Sequence, residues 1–318
     1  MGFEQLFGNE RLKENLRSSI SKGRIAHFYL ISGPEGSGKK TLADLLAAAI
    51  LCKSGSDRPC CTCSACRKVL GSGHPDYITI DDPEKKTVPV DLVRRARADM
   101  YIQPNESAHK IYLFPRAQDM REESQNALLK VLEEPPAYGV FILLTDAPEK
   151  LLVTVRSRCT ELALTALPDA VLTRELRHRF PQADAESIRA AALRSGGFLG
   201  QAAALLEEGL SLPPQTQAFL DAYAARDTLG LLQVLTGMER MKRDQVQPLL
   251  EQWTEYLVSA LAYRSSGRET FPIAARLSTG RSSAELLHAI RQLEKAIEYL
   301  QGNVSPAAIC GHLSWALR

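Results

Sequence analysis

The chain has 318 residues, a formal net charge of +2 and a hydrophobic content of 45%. This length accommodates two or three domains, and the composition is that of a soluble globular protein rather than a membrane protein. A charge so near zero gives no sign by itself of a nucleic-acid binder. No apolar run is long enough to cross a bilayer and the N-terminus has no signal-peptide pattern, so we expect a cytoplasmic protein without a membrane partner.

A strand, a glycine-rich loop and a helix follow one another near the N-terminus. After a first predicted helix at residues 9–22, an apolar run at 28–31 predicts a strand, and the Ala- and Leu-rich residues 39–51 predict a helix. The connecting loop has glycines whose backbone N–H groups can surround a phosphate and a lysine that adds positive charge. The residues predicted to form this phosphate loop are Gly33, Gly36, Gly38 and Lys39.

The positions that would hold a metal ion beside the phosphates are altered. A Ser or Thr normally follows the loop lysine and binds Mg²⁺ through its hydroxyl. Here Lys40 takes that place, and Thr41 comes one residue late, rotated by roughly 100° around the helix. The predicted strand at residues 110–114 likewise runs into Pro115 and Arg116, where an ATPase needs acidic residues. We therefore predict a nucleotide site without metal ligands, and the sequence leaves open whether nucleotide occupies it.

Five of the seven cysteines lie within residues 52–66. Such clustering favours a metal site in a reducing compartment over disulfides. The spacing C-x7-C-x2-C-x2-C suits a tetrahedral Zn²⁺ with four thiolates, and a site with no open position is structural. Unpaired buried cysteines or a redox pair are the alternative, and the choice between Cys60 and its neighbour Cys61 stays open. The predicted zinc ligands are Cys52, Cys60, Cys63 and Cys66.

Strands and helices continue to alternate up to about residue 164. One of the helices follows a predicted capping box formed by Asp119 and Glu122. Alternation of this kind, with a phosphate loop after the first strand, predicts an α/β P-loop domain built on a parallel sheet. Strand signals stop after Leu167, so we expect the rest of the chain to be all-α. The further predicted strands lie at residues 76–80, 110–114, 140–145 and 160–164.

The helical remainder divides at breaks rich in Pro and Gly. We predict a P-loop domain at residues 1–166 with its cysteine module at 52–66, a helical lid at 167–209, and a C-terminal helical domain at 210–318. In the last of these, Ser282 and Glu285 form a capping box before a helix with Leu and Ile at four-three spacing. That stripe is either an internal core or an oligomerisation surface, and the spacing does not separate the two.

Four blocks of residues, in this order along the chain, resemble bacterial clamp-loader subunits. These are AAA+ proteins that open the ring-shaped sliding clamp and place it on primed DNA. Residues 1 to about 165 resemble them strongly, and the helical remainder resembles them in layout. Because the cysteine module is present and the ATPase residues are eroded, the chain looks like the delta-prime branch rather than the motor (tau/gamma) branch. The blocks are His27–Lys40, the four cysteines, Asn126–Pro135 and Ser157-Arg158-Cys159.

The resemblance implies roles for individual residues. It makes Arg158 an arginine finger that reaches into a neighbour's ATP site, a role that suits the planar fork of donors on Arg. Thr145 corresponds to a polar sensor on the fourth strand, and Gly200 stands where the motor subunit has a phosphate-sensing Arg. The chain would then be a non-hydrolysing arm whose C-terminal collar binds neighbouring subunits. The implied partners are the tau/gamma motor, the delta subunit and, through the complex, the sliding clamp and primer-template DNA.

Two other functions fit parts of the sequence. The chain could be an active clamp-loader ATPase of the motor type, which predicts Mg²⁺-dependent hydrolysis that requires Lys39. It could also be a zinc-dependent nucleic-acid-binding protein with a vestigial P-loop. That second alternative predicts DNA binding that is lost when zinc is removed.

Overall fold

The computed structural model describes residues 2–55, 57–207, 212–266 and 272–317. The chain forms two compact units, one made of Met1–Arg179 with Ser195–Ala204 and the other of Phe180–Arg194 with Leu205–Arg318. The predicted boundary at residues 209/210 lies outside the described residues, and the division into three domains stays a prediction. Among the described helices, none is long and apolar enough to span a membrane.

A parallel sheet forms the centre of the first unit. In the described part of the chain its order is β2-β3-β4-β1-β5, and each neighbouring pair is parallel. The sheet and the phosphate loop after its first strand confirm the predicted α/β P-loop fold. The strands are β1 (Phe28–Ser32), β2 (Tyr77–Thr79), β3 (Lys110–Phe114), β4 (Gly139–Thr145) and β5 (Thr160–Ala163).

The helices before β5 cover both faces of this sheet, and the helices after β5 form the all-α remainder. Their bounds agree with the predicted alternation of strands and helices up to β5 and with the predicted helical remainder. The helices are α1 (Glu10–Ser21), α2 (Lys39–Leu51), α3 (Ser64–Leu70), α4 (Val90–Asp99), α5 (Glu122–Glu133), α6 (Val153–Arg156), α7 (Asp169–Arg179), α8 (Ala185–Arg194), α9 (Leu199–Glu207), α10 (Pro214–Ala225), α11 (Thr228–Met238), α12 (Arg243–Ser266), α13 (Pro272–Gly280), α14 (Ser283–Gln301) and α15 (Pro306–Ala316).

The central strands are buried on both faces, because alternate side chains point to opposite sides of a sheet. In β1, Tyr29 and Ile31 join the core under α1, α2 and α3. Phe28 and Leu30 join the opposite core, under α4, α5 and α6, where Phe28 stacks on Phe141 at 4.8 Å between ring centroids. The two cores hold the sheet rigid and fix where its loops begin.

The second unit is a helical bundle around Trp253, whose indole stacks on Phe219 at 3.9 Å between ring centroids. The predicted capping box of Ser282 and Glu285 is confirmed at the start of α14. The leucine and isoleucine stripe of that helix faces the bundle core, so the stripe is internal packing. Its members are Leu286, Ile290, Leu293, Ile297 and Leu300.

The predicted capping box at Asp119 is wrong. Asp119 lies in a 3₁₀ turn, and α5 starts only at Glu122 with Arg121 as its N-cap and no side-chain cap. The Asp119 backbone is used otherwise, because its carbonyl accepts from the Val88 N–H at 3.2 Å. The N-cap of α5 is therefore two residues later than predicted, and sequence spacing carries no sign of the Val88 contact.

Candidate functional site

The phosphate loop borders a cavity of about 610 Å³ in the first unit. Gly36 and Gly38 have positive φ angles, which lets the backbone turn around the space in front of α2. The Lys39 ammonium donates to the carbonyl oxygens of Gly33 at 2.6 Å and Pro34 at 2.8 Å. Burial lowers the pKa of Lys39, against the opposing effect of nearby carboxylates. These two bonds use two of the three donors of the ammonium group, which leaves one for an anion.

One buried polar atom in the loop fits a phosphate. The Ser37 hydroxyl is buried and finds no hydrogen-bond partner among the described residues. A phosphate oxygen in the loop would supply an acceptor, because backbone N–H groups and hydroxyls together form such cradles. The residues present therefore fit the phosphates of a nucleotide.

Lys40 and Thr41 follow the loop lysine, and Lys40, directly after it, has no side-chain oxygen to offer a metal ion. The Lys40 ammonium pairs with the Asp44 carboxylate one turn further along α2 and lies 5.7 Å from the Tyr77 ring centroid. The Tyr77 hydroxyl donates to the same carboxylate at 2.7 Å. Thr41 is exposed and lines the cavity. The second lysine is thus held by its own helix.

Pro115 and Arg116 follow β3 directly. Pro115 lines the cavity and offers no side-chain ligand. The Arg116 guanidinium donates to the Asp81 carboxylate at 2.6 and 3.1 Å, and also to the carbonyl oxygens of Asp82 at 2.9 Å and Lys85 at 3.2 Å. Arg116 therefore ties down the segment after β2, an interaction between residues 35 positions apart.

Two further residues implied by the resemblance lie at the loop. The Thr145 hydroxyl is buried at the end of β4 and accepts from the Ala147 N–H at 3.1 Å, while its carbonyl accepts from the Gly33 N–H at 3.2 Å. The Gly200 N–H donates to the Gly36 carbonyl at 2.9 Å. A Cβ at Gly200 would lie 2.6 Å from that carbonyl oxygen, so a side chain here would force the backbones apart.

The structure adds cavity residues that the sequence analysis missed. Asn9 accepts from the Thr165 N–H at 2.9 Å, and the Arg179 guanidinium lies 5.8 Å from the Phe7 ring centroid. All four line the cavity. They come from the segment before α1, the residues just after β5 and the end of α7, and no spacing in the sequence relates these segments.

The four predicted zinc ligands come together at the N-terminal end of α3. The sulfur atoms of Cys52, Cys60, Cys63 and Cys66 all lie within 4.8 Å of one another. Tetrahedral Zn²⁺ with Zn–S bonds of about 2.3 Å needs sulfur atoms about 3.8 Å apart, close to this spacing. The Cys61 sulfur instead contacts the Pro59 carbonyl oxygen at 3.8 Å. The set can hold a metal ion, and Cys60 rather than Cys61 faces the other three.

Backbone N–H groups around this cluster point toward cysteine sulfur atoms and can donate hydrogen bonds to them. The N–H groups of Ser54, Cys63 and Cys66 each lie 3.4 Å from a cysteine sulfur, those of Cys52, Cys60 and Cys63 respectively. Hydrogen bonds from Thr62 lower the pKa of Cys60 to about 6. Burial instead raises the pKa of Cys52 and Cys66. Donors aimed at sulfur favour the deprotonated form, which is the form that binds metal.

Arg158 follows α6 on the surface of the first unit. Its guanidinium donates to the Thr154 carbonyl oxygen at 3.0 Å and pairs with Glu133 at 3.3 Å. The Arg158 side chain is 39% exposed. It can therefore reach another molecule without unfolding its own loop.

Comparison with known proteins agrees with these features. The family model described as "DNA polymerase III, delta subunit" matches residues 8–168, just over half of the chain. A DNA polymerase III subunit delta' of Pseudomonas aeruginosa is 29% identical over 307 residues, 93% of this chain and 85% of that protein.

Gamma and tau subunits of DNA polymerase III match as well. A subunit gamma of Buchnera aphidicola is 32% identical over 215 residues, 66% of this chain, and a subunit tau of Bacillus subtilis is 27% identical over 260 residues, 80% of this chain. The matched part spans 59% and 46% of the length of these two relatives. From the family match, with the P-loop sheet and the cysteine cluster in place, the chain belongs to the DNA polymerase III delta-subunit family.

Proposed function

We propose that this chain is the delta-prime-type subunit of a DNA polymerase III clamp loader, and that it assists ATP hydrolysis in a neighbour without hydrolysing ATP itself. The observation that supports this proposal most is the contrast between its two arginines. Arg116 replaces a catalytic acid and is bound to Asp81, whereas Arg158 is exposed beside α6. Arg116 thus removes a catalytic group from this chain's own nucleotide site, whereas Arg158 can act in the site of a neighbouring subunit.

The loss of hydrolysis follows from several positions acting together. Lys40 and Pro115 offer no oxygen to Mg²⁺, and Gly200 carries no charge toward a γ-phosphate. Phosphoryl transfer depends on positioning and on electrostatic stabilisation of the transition state, so each missing group raises the barrier by several kcal/mol. Nucleotide bound at Lys39 would stay intact and serve as a structural ligand.

The partners follow from the same proposal. Arg158 would donate to the phosphates in the ATP site of a tau/gamma-type motor subunit, and the helical second unit would provide contacts to motor and delta subunits. The four cysteines would hold a structural Zn²⁺. Contact with the sliding clamp and primed DNA would be made by the assembled complex, mainly through backbone phosphates.

Reconstitution with motor and delta subunits tests the proposal. Arg158→Ala should leave the chain folded and should lower clamp- and DNA-stimulated ATP hydrolysis of the complex by at least the contribution of the one site it serves. Arg174→Ala is the matched control, because Arg174 is also exposed and pairs with a neighbouring Glu. An unchanged rate for Arg158→Ala would rule out the finger. Mg²⁺-dependent hydrolysis by the isolated chain, abolished by Lys39→Ala, would show an active motor instead.

A further inference from the structure

The block Asn126–Pro135 has no part in the function described so far. Its helix, α5, ends at Glu133. The Glu133 carboxylate lies 3.3 Å from the Arg158 guanidinium, although the two residues are 25 positions apart in the chain. Two of the blocks that carry the family resemblance thus meet at the tip of Arg158.

The guanidinium is held from two directions. One terminal nitrogen donates to the Thr154 carbonyl oxygen at 3.0 Å, and the other faces Glu133. An Arg side chain has five N–H donors in a rigid plane, so these two contacts leave three donors free to bind a phosphate. The contacts restrict the rotamers of a long side chain that would otherwise lose entropy on binding.

The loop that carries Arg158 is also fixed by α5. Gln125 is only 3% exposed, and its side-chain oxygen accepts from the Leu152 N–H at 2.7 Å. Its side-chain nitrogen donates to the carbonyl oxygens of Lys150 at 3.2 Å and Met120 at 3.1 Å. The buried Gln125 amide therefore fixes the backbone at the start of α6. Helix α5 thus contacts both the segment that leads to Arg158, through Gln125, and the Arg158 guanidinium, through Glu133.

We propose that Glu133 is a positioning residue for Arg158, orienting the guanidinium so that its remaining donors are offered to a phosphate on the partner. The inference rests on the proposed function. Both side chains are partly exposed, at 39% for Arg158 and 57% for Glu133. The effect is therefore that of an exposed ion pair, about 1.5- to 5-fold in rate.

The test uses the reconstituted complex and steady-state ATP hydrolysis. Glu133→Ala should lower kcat about 1.5- to 5-fold and leave KM for ATP unchanged, because the arginine acts in the transition state. Glu133→Gln keeps an acceptor oxygen and should recover most of the rate. Glu134→Ala is the control, since the adjacent Glu134 has no ion pair within the described ranges.

A double variant separates positioning from a structural role. In the Arg158→Ala background, Glu133→Ala should cause no further loss, because a residue that acts through the arginine has nothing left to position. An equal loss in both backgrounds would overturn the inference. So would a complex that is slowed by Arg158→Ala but not by Glu133→Ala, with the proposed function intact. A complex indifferent to Arg158→Ala would overturn the proposed function itself.

Discussion

Asp76 is a carboxylate with no exposed surface, just before β2. It accepts from the backbone N–H groups of Asn105, Glu106 and Ser107 at 2.6 to 3.0 Å, and from the Asn105 side-chain amide at 3.0 Å. Burial alone would raise the pKa of Asp76, but these hydrogen bonds outweigh it and lower the pKa below its usual value. At the scale of one residue, a buried charge holds the loop that leads into β3.

Asp76→Asn should destabilise the first unit by about 3 kcal/mol, because the new NH₂ group would face buried N–H donors. Urea unfolding at pH 7 measures this change. The control is Asp91→Asn, an exposed carboxylate 3.5 Å from Arg94 whose replacement should cost less than about 0.5 kcal/mol. Equal stabilities for the two variants would contradict the role of Asp76.

The loss of stability caused by Asp76→Asn should depend on pH. A carboxyl group whose pKa is lowered in the folded state stabilises the fold above its ordinary pKa and loses that contribution as the pH falls through the lowered value. The stability difference between wild type and Asp76→Asn should therefore be full at neutral pH and should shrink below about pH 4. A difference that grows on acidification would contradict the hydrogen-bond account.

At the scale of elements, the cysteine module connects α2 to α3. Cys52 follows the last residue of α2, and Cys63 caps α3. A metal held by both would tie the helix of the phosphate loop to its neighbour. Because the ligands are brought together only in the folded chain, metal binding would add directly to folding free energy.

Cys60→Ser should abolish binding of one zinc per chain and lower the melting temperature by about 10 °C. Cys61→Ser is the matched control, because its sulfur contacts a carbonyl oxygen rather than the other thiols. Elemental analysis and thermal unfolding with and without chelator measure the two effects. Loss of zinc in Cys61→Ser but not in Cys60→Ser would show that Cys61, and not Cys60, is the fourth ligand.

At the scale of the whole molecule, charge limits what the isolated chain does with DNA. The net charge of +2 provides no strong field for a polyanion. We therefore expect the isolated chain to bind primed DNA only with a Kd of about 10⁻⁴ to 10⁻⁶ M at physiological salt. Fluorescence anisotropy of wild type and Cys60→Ser should give similar values. Tight binding that needs the metal would instead indicate a zinc-dependent nucleic-acid-binding protein.

Local patterns predicted most of the fold and part of the site. Alternating strands and helices, the glycines before Lys39 and the cysteine spacing each depend on residues close together in the chain. Their outcome follows from backbone geometry and ligand chemistry over short spacings. The predicted capping box is absent because Asp119 lies in a 3₁₀ turn and α5 begins only at Glu122, after Arg121.

The sequence by itself determined the P-loop sheet and the clustering of the four cysteines, and it predicts a nucleotide site without metal ligands. Tertiary structure alone decided what the altered residues contact: Arg116 with Asp81, Gly200 with Gly36, and Arg158 with Glu133. The physical reason is separation along the chain. Each of these contacts joins segments more than twenty residues apart, and only the packing of the sheet and its helices brings them within hydrogen-bonding distance.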